Sequence, residues 1–326
     1  MKKIFMFVAI ASMMLASCSN EDETTTTSVG KSELGVSAVI TGAVVTRGLT
    51  DAFAAENTIG VFIDNQTGIE TDYTPATATY TYGATNWAAP ALGKIYLTNQ
   101  IATVYAFYPR GIEGDVDFTA KTLKVNVDSV QNFSATSQKD YMYATARSGA
   151  EGSYTYPLAV ASNAVGNYDV SLFFHHVLSK LSFIVNKDAT YTGAGLLTSV
   201  RLTKDAGFLA GSDLGTVSLG DGVISGLHAT YGIVFTGSTT INAAAGTTVL
   251  VEGLVAPIVA TTGISLTLTI DGKNMIVTLP AVAPADAWLQ GKNYTYTINV
   301  KGTELSVVSV AITAWDDLAG GATDAN

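Results

Sequence analysis

Few side chains in this 326-residue chain can do chemistry, and their spacing narrows what that chemistry could be. Cys18 is the only cysteine, so no internal disulfide can form and no other thiol is available as a nucleophile. Two of the three histidines, His175 and His176, are adjacent on a segment that reads as a strand. Neighbouring strand side chains face opposite ways, which predicts one histidine in the core and one on the surface. His228 is remote in sequence, and a metal site would need further ligands at hand, so no metal is expected. Glu113, Asp115 and Asp117 alternate close to Gly111 and Gly114. Such carboxylates can hold Ca²⁺, but an exposed acidic edge is the simpler reading. Tyr73, Tyr80, Tyr82 and Trp87 are close together in sequence and could form a glycan-binding face or cross-strand packing. No nucleophile elbow, P-loop or dinucleotide glycine motif is present. The expectation is no catalytic residue, no cofactor and no enzyme activity.

The groups that remain lie near the N-terminus. Met1-Lys2-Lys3 is a short positive region, and residues 4–15 form an apolar run too short to span a bilayer. Leu15-Ala16-Ser17-Cys18 matches the lipobox of bacterial lipoproteins, in which the cysteine thiol receives diacylglycerol. Fatty-acyl chains of this kind hold a protein to a membrane without a spanning helix. The polar, acidic stretch from Ser19 to Ser28 reads as a tether that cannot pack, and it resembles a surface-export signal. Thr46-Arg47-Gly48 then offers a basic residue beside a flexible one, a plausible cut site. The alternative is that Arg47 caps a strand end on the surface.

The elements that position these groups read as β throughout. The chain is 48% hydrophobic, only 13% charged and carries a net charge of −10. That composition excludes disorder, and it makes nucleic acid a poor partner, since phosphate binding needs clustered cations. Val36, Ala38, Ile40 and Val44 fall on one face of a first strand. Residues 59–63, 79–82, 102–108, 123–127 and 141–145 follow as strands. A Gly/Ser/Asn-rich stretch over 149–167 suggests a domain boundary near its end. An apolar run over 170–185 opens the second half, with further strands at 200–203, 216–219, 266–270, 294–300 and 305–314. Asp221-Gly222 and Asp271-Gly272 are hairpin signals, because both turn residues need positive φ. Short strands at regular spacing indicate sandwiches. The expected parts are a signal peptide over 1–18, a tether and first strand over 19–47, and domains over 48–166 and 167–326. On the last strand, Val308, Val310 and Ile312 alternate on one face, with Leu305 and Val307 on the other.

Several patches, taken in order, resemble one family. They are the lipobox, Thr46-Arg47 followed by Ile59-Gly60-Val61-Phe62, Val104-Tyr105-Ala106-Phe107-Tyr108-Pro109 and Asp140-Tyr141-Met142-Tyr143-Ala144. Phe174-His175-His176-Val177-Leu178-Ser179-Lys180-Leu181, Gly291-Lys292-Asn293-Tyr294-Thr295-Tyr296-Thr297 and Ile312-Thr313-Ala314-Trp315 complete the set. The set resembles the fimbrillins, also called Mfa-like proteins or type V pilins. The resemblance implies two tandem transthyretin-like β-sandwich domains and an outer-membrane lipoprotein precursor. It also implies cleavage after Arg47, loss of the lipid and first strand, and filling of the vacated groove by a strand from another pilin subunit. Residues 305–315 are the donor candidate, although the same residues would suit an ordinary last strand. A tip or anchor subunit and a monomeric glycan-binding lipoprotein are the alternative readings. Asp128-Ser129-Val130 resembles a short O-glycosylation motif.

Overall fold

The computed structural model describes residues 32–40, 52–64, 77–97, 102–110, 113–147, 154–155, 159–161, 169–209, 211–243, 248–283, 285–302 and 304–315. In chain order the main strands are β1 (Gly35–Ile40), β2 (Thr58–Asp64), β3 (Thr77–Tyr82), β4 (Ala102–Tyr108), β5 (Thr122–Val127), β6 (Met142–Arg147) and β7 (Asp169–His176). Then come β8 (Ser179–Lys187), β9 (Leu196–Leu209), β10 (Gly211–Ser218), β11 (Ala229–Thr240) and β12 (Val251–Val255). The last four are β13 (Ser265–Ile270), β14 (Lys273–Thr278), β15 (Lys292–Val300) and β16 (Leu305–Ala314). The fold is all-β, as expected. Among the described residues the one helical element is a 3₁₀ turn, Glu113–Asp115.

Strands β1, β7, β6, β4, β2 and β3 form one sheet in that order, and Trp87–Ala88 pairs with β3 at its far end. The central strands are buried on both faces. Ile59, Val61 and Ile63 of β2 enter one core with Val104 and Ala106 of β4. Phe62, Tyr105 and Phe107 point the other way, into a second core. This is why these segments read as continuous apolar runs rather than alternating ones. Gly60 sits opposite Phe107 in the β2–β4 pairing, and the ring lies over it.

The second core is a sandwich. One sheet holds β8, β15 and β16, with β12 paired to β8; the other holds β11, β9, β13 and β14 in order. Phe183, Tyr294, Tyr296 and Ile298 meet Leu202, Phe235, Leu266 and Leu268 between them. Asp271-Gly272 forms the expected two-residue turn: both φ angles are positive and Ile270 pairs with Lys273. At Asp221-Gly222 only Gly222 has positive φ, and the turn is longer.

The division at 166/167 does not follow the sheets. β7, placed by that boundary in the second domain, pairs with β1 and β6 of the first sheet. The chain instead passes between the sheets at Val177 and Leu178, both fully buried. The polar stretch over 149–167 was misleading because it contains short returns: Tyr154–Thr155 pairs with β6 and Ala159–Ala161 with β4. The halves also interweave, since β5 pairs with β10, and Val130–Asn132 with β11.

A Cβ built on Gly60 would lie 2.2 Å from the Phe107 ring. Gly60→Ala should therefore lower stability by roughly 1–3 kcal/mol through overpacking, read as a drop in the denaturant midpoint. An unchanged midpoint would show that the ring relaxes freely.

Candidate strand-exchange groove

β1 is an edge strand with an unusual attachment. It runs parallel to β7, from Gly35 opposite Asp169 to Ile40 opposite Phe174. On its other side the curled sheet brings its far end round to meet it. The Trp87 indole N–H donates to the Ala38 carbonyl at 3.1 Å, and the Tyr80 hydroxyl donates to the Leu34 carbonyl at 2.7 Å. Burial, and secondarily the charge of Glu33, pushes the Tyr80 hydroxyl above the usual phenol range, so it stays a donor. The Leu34 N–H donates to the Ile95 carbonyl at 2.9 Å, and Lys94 pairs with Glu33 at 2.7 Å. Ser37 on the outer face donates to Ser171 at 3.1 Å. Leu34, Ala38 and Ile40 are buried in the first core. Leu34 and Ile40 together are worth roughly 3–6 kcal/mol of burial.

Removing this strand would leave a slot walled by β7 and by Tyr80, Trp87, Ile95 and Leu97. Phe53, beyond Arg47 in sequence, would stay. Its ring makes T-shaped contacts with Trp87, Tyr108 and Phe174 at 4.9, 5.6 and 5.3 Å, fixing the chain at the slot's end. Cys18, Arg47 and Gly48, like Val44 and Tyr73, lie outside the described residues.

The donor candidate is the other edge. β16 pairs only with β15 among the described strands, antiparallel from Ala314 opposite Lys292 to Leu305 opposite Val300. A β-bulge corrects the expected faces. Ser309 sits opposite Thr297 and Val307 opposite Ile298, so Val308 has no partner. Leu305, Val307 and Val310 therefore share the inward face, and Ile312 lies opposite the inward Tyr294. Val308 is turned out and 57% exposed, and Ile312 is 41% exposed.

Trp315 ends this strand inside the protein, at the junction between the sheets. Its ring stacks on His176 at 3.6 Å, and the Lys180 ammonium lies 5.8 Å from it. His176 pairs with Asp140 at 2.9 Å and Lys180 with Glu252 at 3.0 Å, all four buried. The expectation of one buried and one exposed histidine fails, since both are fully buried. The sheet carrying β7 has a core on each face, so opposite directions are both inside. His175 contacts Thr145 at 2.6 Å.

The other candidate groups have structural roles. Asp117 accepts from the Thr119 and Ala120 N–H groups at 2.9 Å, and no cluster of three or more metal ligands exists among the described residues. Tyr80 and Trp87 are buried and Tyr82 is half-buried, packed on Trp87. Val130 of Asp128-Ser129-Val130 is 61% exposed. The sequence reading missed the two side-chain donors that hold β1, the bulge at Val308 and the buried polar cluster under Trp315. An aromatic in an alternating pattern signals only a core position, and not the carbonyl it reaches.

The profile of the fimbrillin-like family matches residues 46–315. The chain belongs to the fimbrillin-like family. This is a family of structural pilins, so the chain is a structural protein and not an enzyme, with its place at the cell surface. Solved structures share the fold. A candidate cell adhesion protein from Bacteroides uniformis is 22% identical, with a TM-score of 0.61 over 87% of this chain and 99% of that one. One from Bacteroides ovatus is 14% identical, with a TM-score of 0.61 over 88% and 98%. A fimbrial protein from Bacteroides vulgatus is more distant, at 12% identity and a TM-score of 0.48 over 88% and 100%. No curated protein matches the chain.

Burial, with a smaller contribution from the charge of His176, lowers the His175 pKa to about 3. The unfolded chain takes up that proton below its ordinary value of 6.5, while the folded chain does not until about pH 3. The stability that His175 contributes is therefore fully present above pH 6.5 and is lost as pH falls from there toward 3. At its steepest the loss is about 1.4 kcal/mol per pH unit. Denaturation at pH 7, 6 and 5 should show a shallower decline for His175→Gln than for the wild type; parallel declines would refute the assignment.

Proposed function

We propose that this fimbrillin-like chain is a fimbrial subunit exported as an outer-membrane lipoprotein, lipidated on Cys18, cleaved after Arg47 and polymerised by donor-strand exchange. One observation carries this reading. The strand ahead of Arg47 is an edge strand whose loss would open a slot with two buried side-chain donors aimed at the missing backbone. An emptied edge of this kind is a template for a strand from another chain. The mature subunit, residues 48–326, then keeps the curled sheet and the sandwich as its two domains, with the switch between them at 177–178.

β16 suits the donor role because, among the described strands, it is paired along one edge only. Leaving its place costs the packing of Leu305, Val307, Val310 and Trp315. Entering a vacated groove returns apolar burial and satisfies Tyr80 and Trp87. The partners in this account are other pilin subunits, an Arg-specific protease and, for the precursor, the outer membrane.

Treatment of the full chain with an Arg-specific protease should give fibres whose subunits begin at Gly48. Arg47→Ala should melt with the wild type and give none; normal fibres from Arg47→Ala would count against the reading. Separately, Cys18→Ala cells grown with labelled fatty acid should yield an unlabelled chain. Label on that variant would exclude Cys18 as the lipid site.

A further inference from the structure

β1 and β16 carry nearly the same sequence. Val36-Ser37-Ala38-Val39-Ile40-Thr41 and Val308-Ser309-Val310-Ala311-Ile312-Thr313 agree at four of six positions and run in the same direction. In β1, Ala38 and Ile40 are buried and Val36 is half-buried against the first core, while Ser37 and Val39 face out. A regular strand over 308–312 would present Val308, Val310 and Ile312 on one face and Ser309 and Ala311 on the other. In its own subunit β16 is not regular. The bulge at Val308 puts Val307, rather than Val308, in line with Val310 and turns Val308 out to solvent, while Ile312, on the side of Val310, is still 41% exposed.

We propose that the bulge is a register switch: bulged, β16 packs on its own sandwich, and regularised, it copies β1 in the groove of a second copy of this chain. The proposal rests on the donor-strand reading above and specifies the strand's direction and alignment. β16 enters parallel to β7, with Val308 opposite Val170, Ser309 opposite Ser171, Val310 opposite Leu172 and Ile312 opposite Phe174, the places now held by Val36, Ser37, Ala38 and Ile40. In this register the Ser306 and Val310 carbonyls stand where Leu34 and Ala38 now accept from Tyr80 and Trp87. The two aromatic donors thus read the incoming main chain four residues apart, and a one-residue slip would turn the apolar face to solvent. Ser309 replaces Ser37 as the neighbour of Ser171. Val307 takes the place of Gly35, where a Cβ would meet the Asp169 carboxylate; that side chain is exposed and can swing away. The exposed Val308 is then explained as a residue whose buried position lies in another subunit.

Two measurements on the protease-treated full chain test this. Cleavage after Arg47 removes the native Cys18, so introduced cysteines are the only thiols. Ser309→Cys combined with Ser171→Cys should give disulfide-linked ladders in fibres. The offset pair Ala311→Cys with Ser171→Cys should not. Val308→Asp, at an exposed position, should melt with the wild type and yet fail to extend fibres, because the carboxylate would enter the apolar groove. Ladders from the offset pair, or normal extension by Val308→Asp, would overturn the register while leaving β16 as donor. Fibres in which neither pair links subunits, and which Val308→Asp extends normally, would overturn the donor assignment as well.

Discussion

The first sheet is closed at its edge by one strand, β1, held in parallel. β1 joins β7 in parallel, through contacts such as Ser37 to Ser171 that span 134 residues of sequence. The other long strands of that sheet pair antiparallel with one another. Parallel partners require a long connection, so cutting between β1 and β2 severs no hairpin. What a cut would remove is one wall of the first core, with the carbonyls of Leu34 and Ala38 on which Tyr80 and Trp87 depend. Buried donors left without acceptors cost about 1–3 kcal/mol each. Together with the exposed apolar wall they make an empty groove unstable toward any strand of the right pattern.

The opposite end of the chain is held by a different balance. β16 gives its sandwich three inward aliphatic side chains and Trp315, yet leaves Val308 and Ile312 in solvent. An exposed apolar edge strand is normally an aggregation hazard. Here the bulge at Val308 disrupts the edge while β16 stays home. Trp315 ties the strand end to a buried polar cluster formed by Asp140, His176, Lys180 and Glu252, drawn from both sheet systems. Such pairs add little net stability against apolar replacements, but removing one partner is costly. The cluster therefore fixes how the two halves meet.

Much of this architecture was legible in the sequence. The doubly buried strands β2 and β4 announced themselves as unbroken apolar runs, and Asp271-Gly272 marked a turn that formed as read. The lettering failed where composition serves two purposes. A polar Gly/Ser stretch can be a linker or a loop within a sheet, and only pairing with β4 and β6 shows which. Conversely, Val177-Leu178 carries no loop signal because that turn is buried. Alternation placed Val308, Val310 and Ile312 on one face, but a bulge is set by partner strands and cannot be read from the strand alone. The two histidines were misplaced because the rule of opposite faces says nothing about whether both faces are covered. The side-chain donors of the groove were invisible for a similar reason, since Tyr80 and Trp87 reach backbone that is distant in sequence.

The account turns on which segment lies beside β7 in the assembled state. An electron cryomicroscopy map of fibres grown from protease-treated chain, at a resolution that shows side chains, would identify it. The account predicts density for residues 306–313 of a neighbouring subunit, parallel to β7, with Val308, Val310 and Ile312 against Val170, Leu172 and Phe174. Density for residues 34–40 of the subunit's own chain in that place would contradict it.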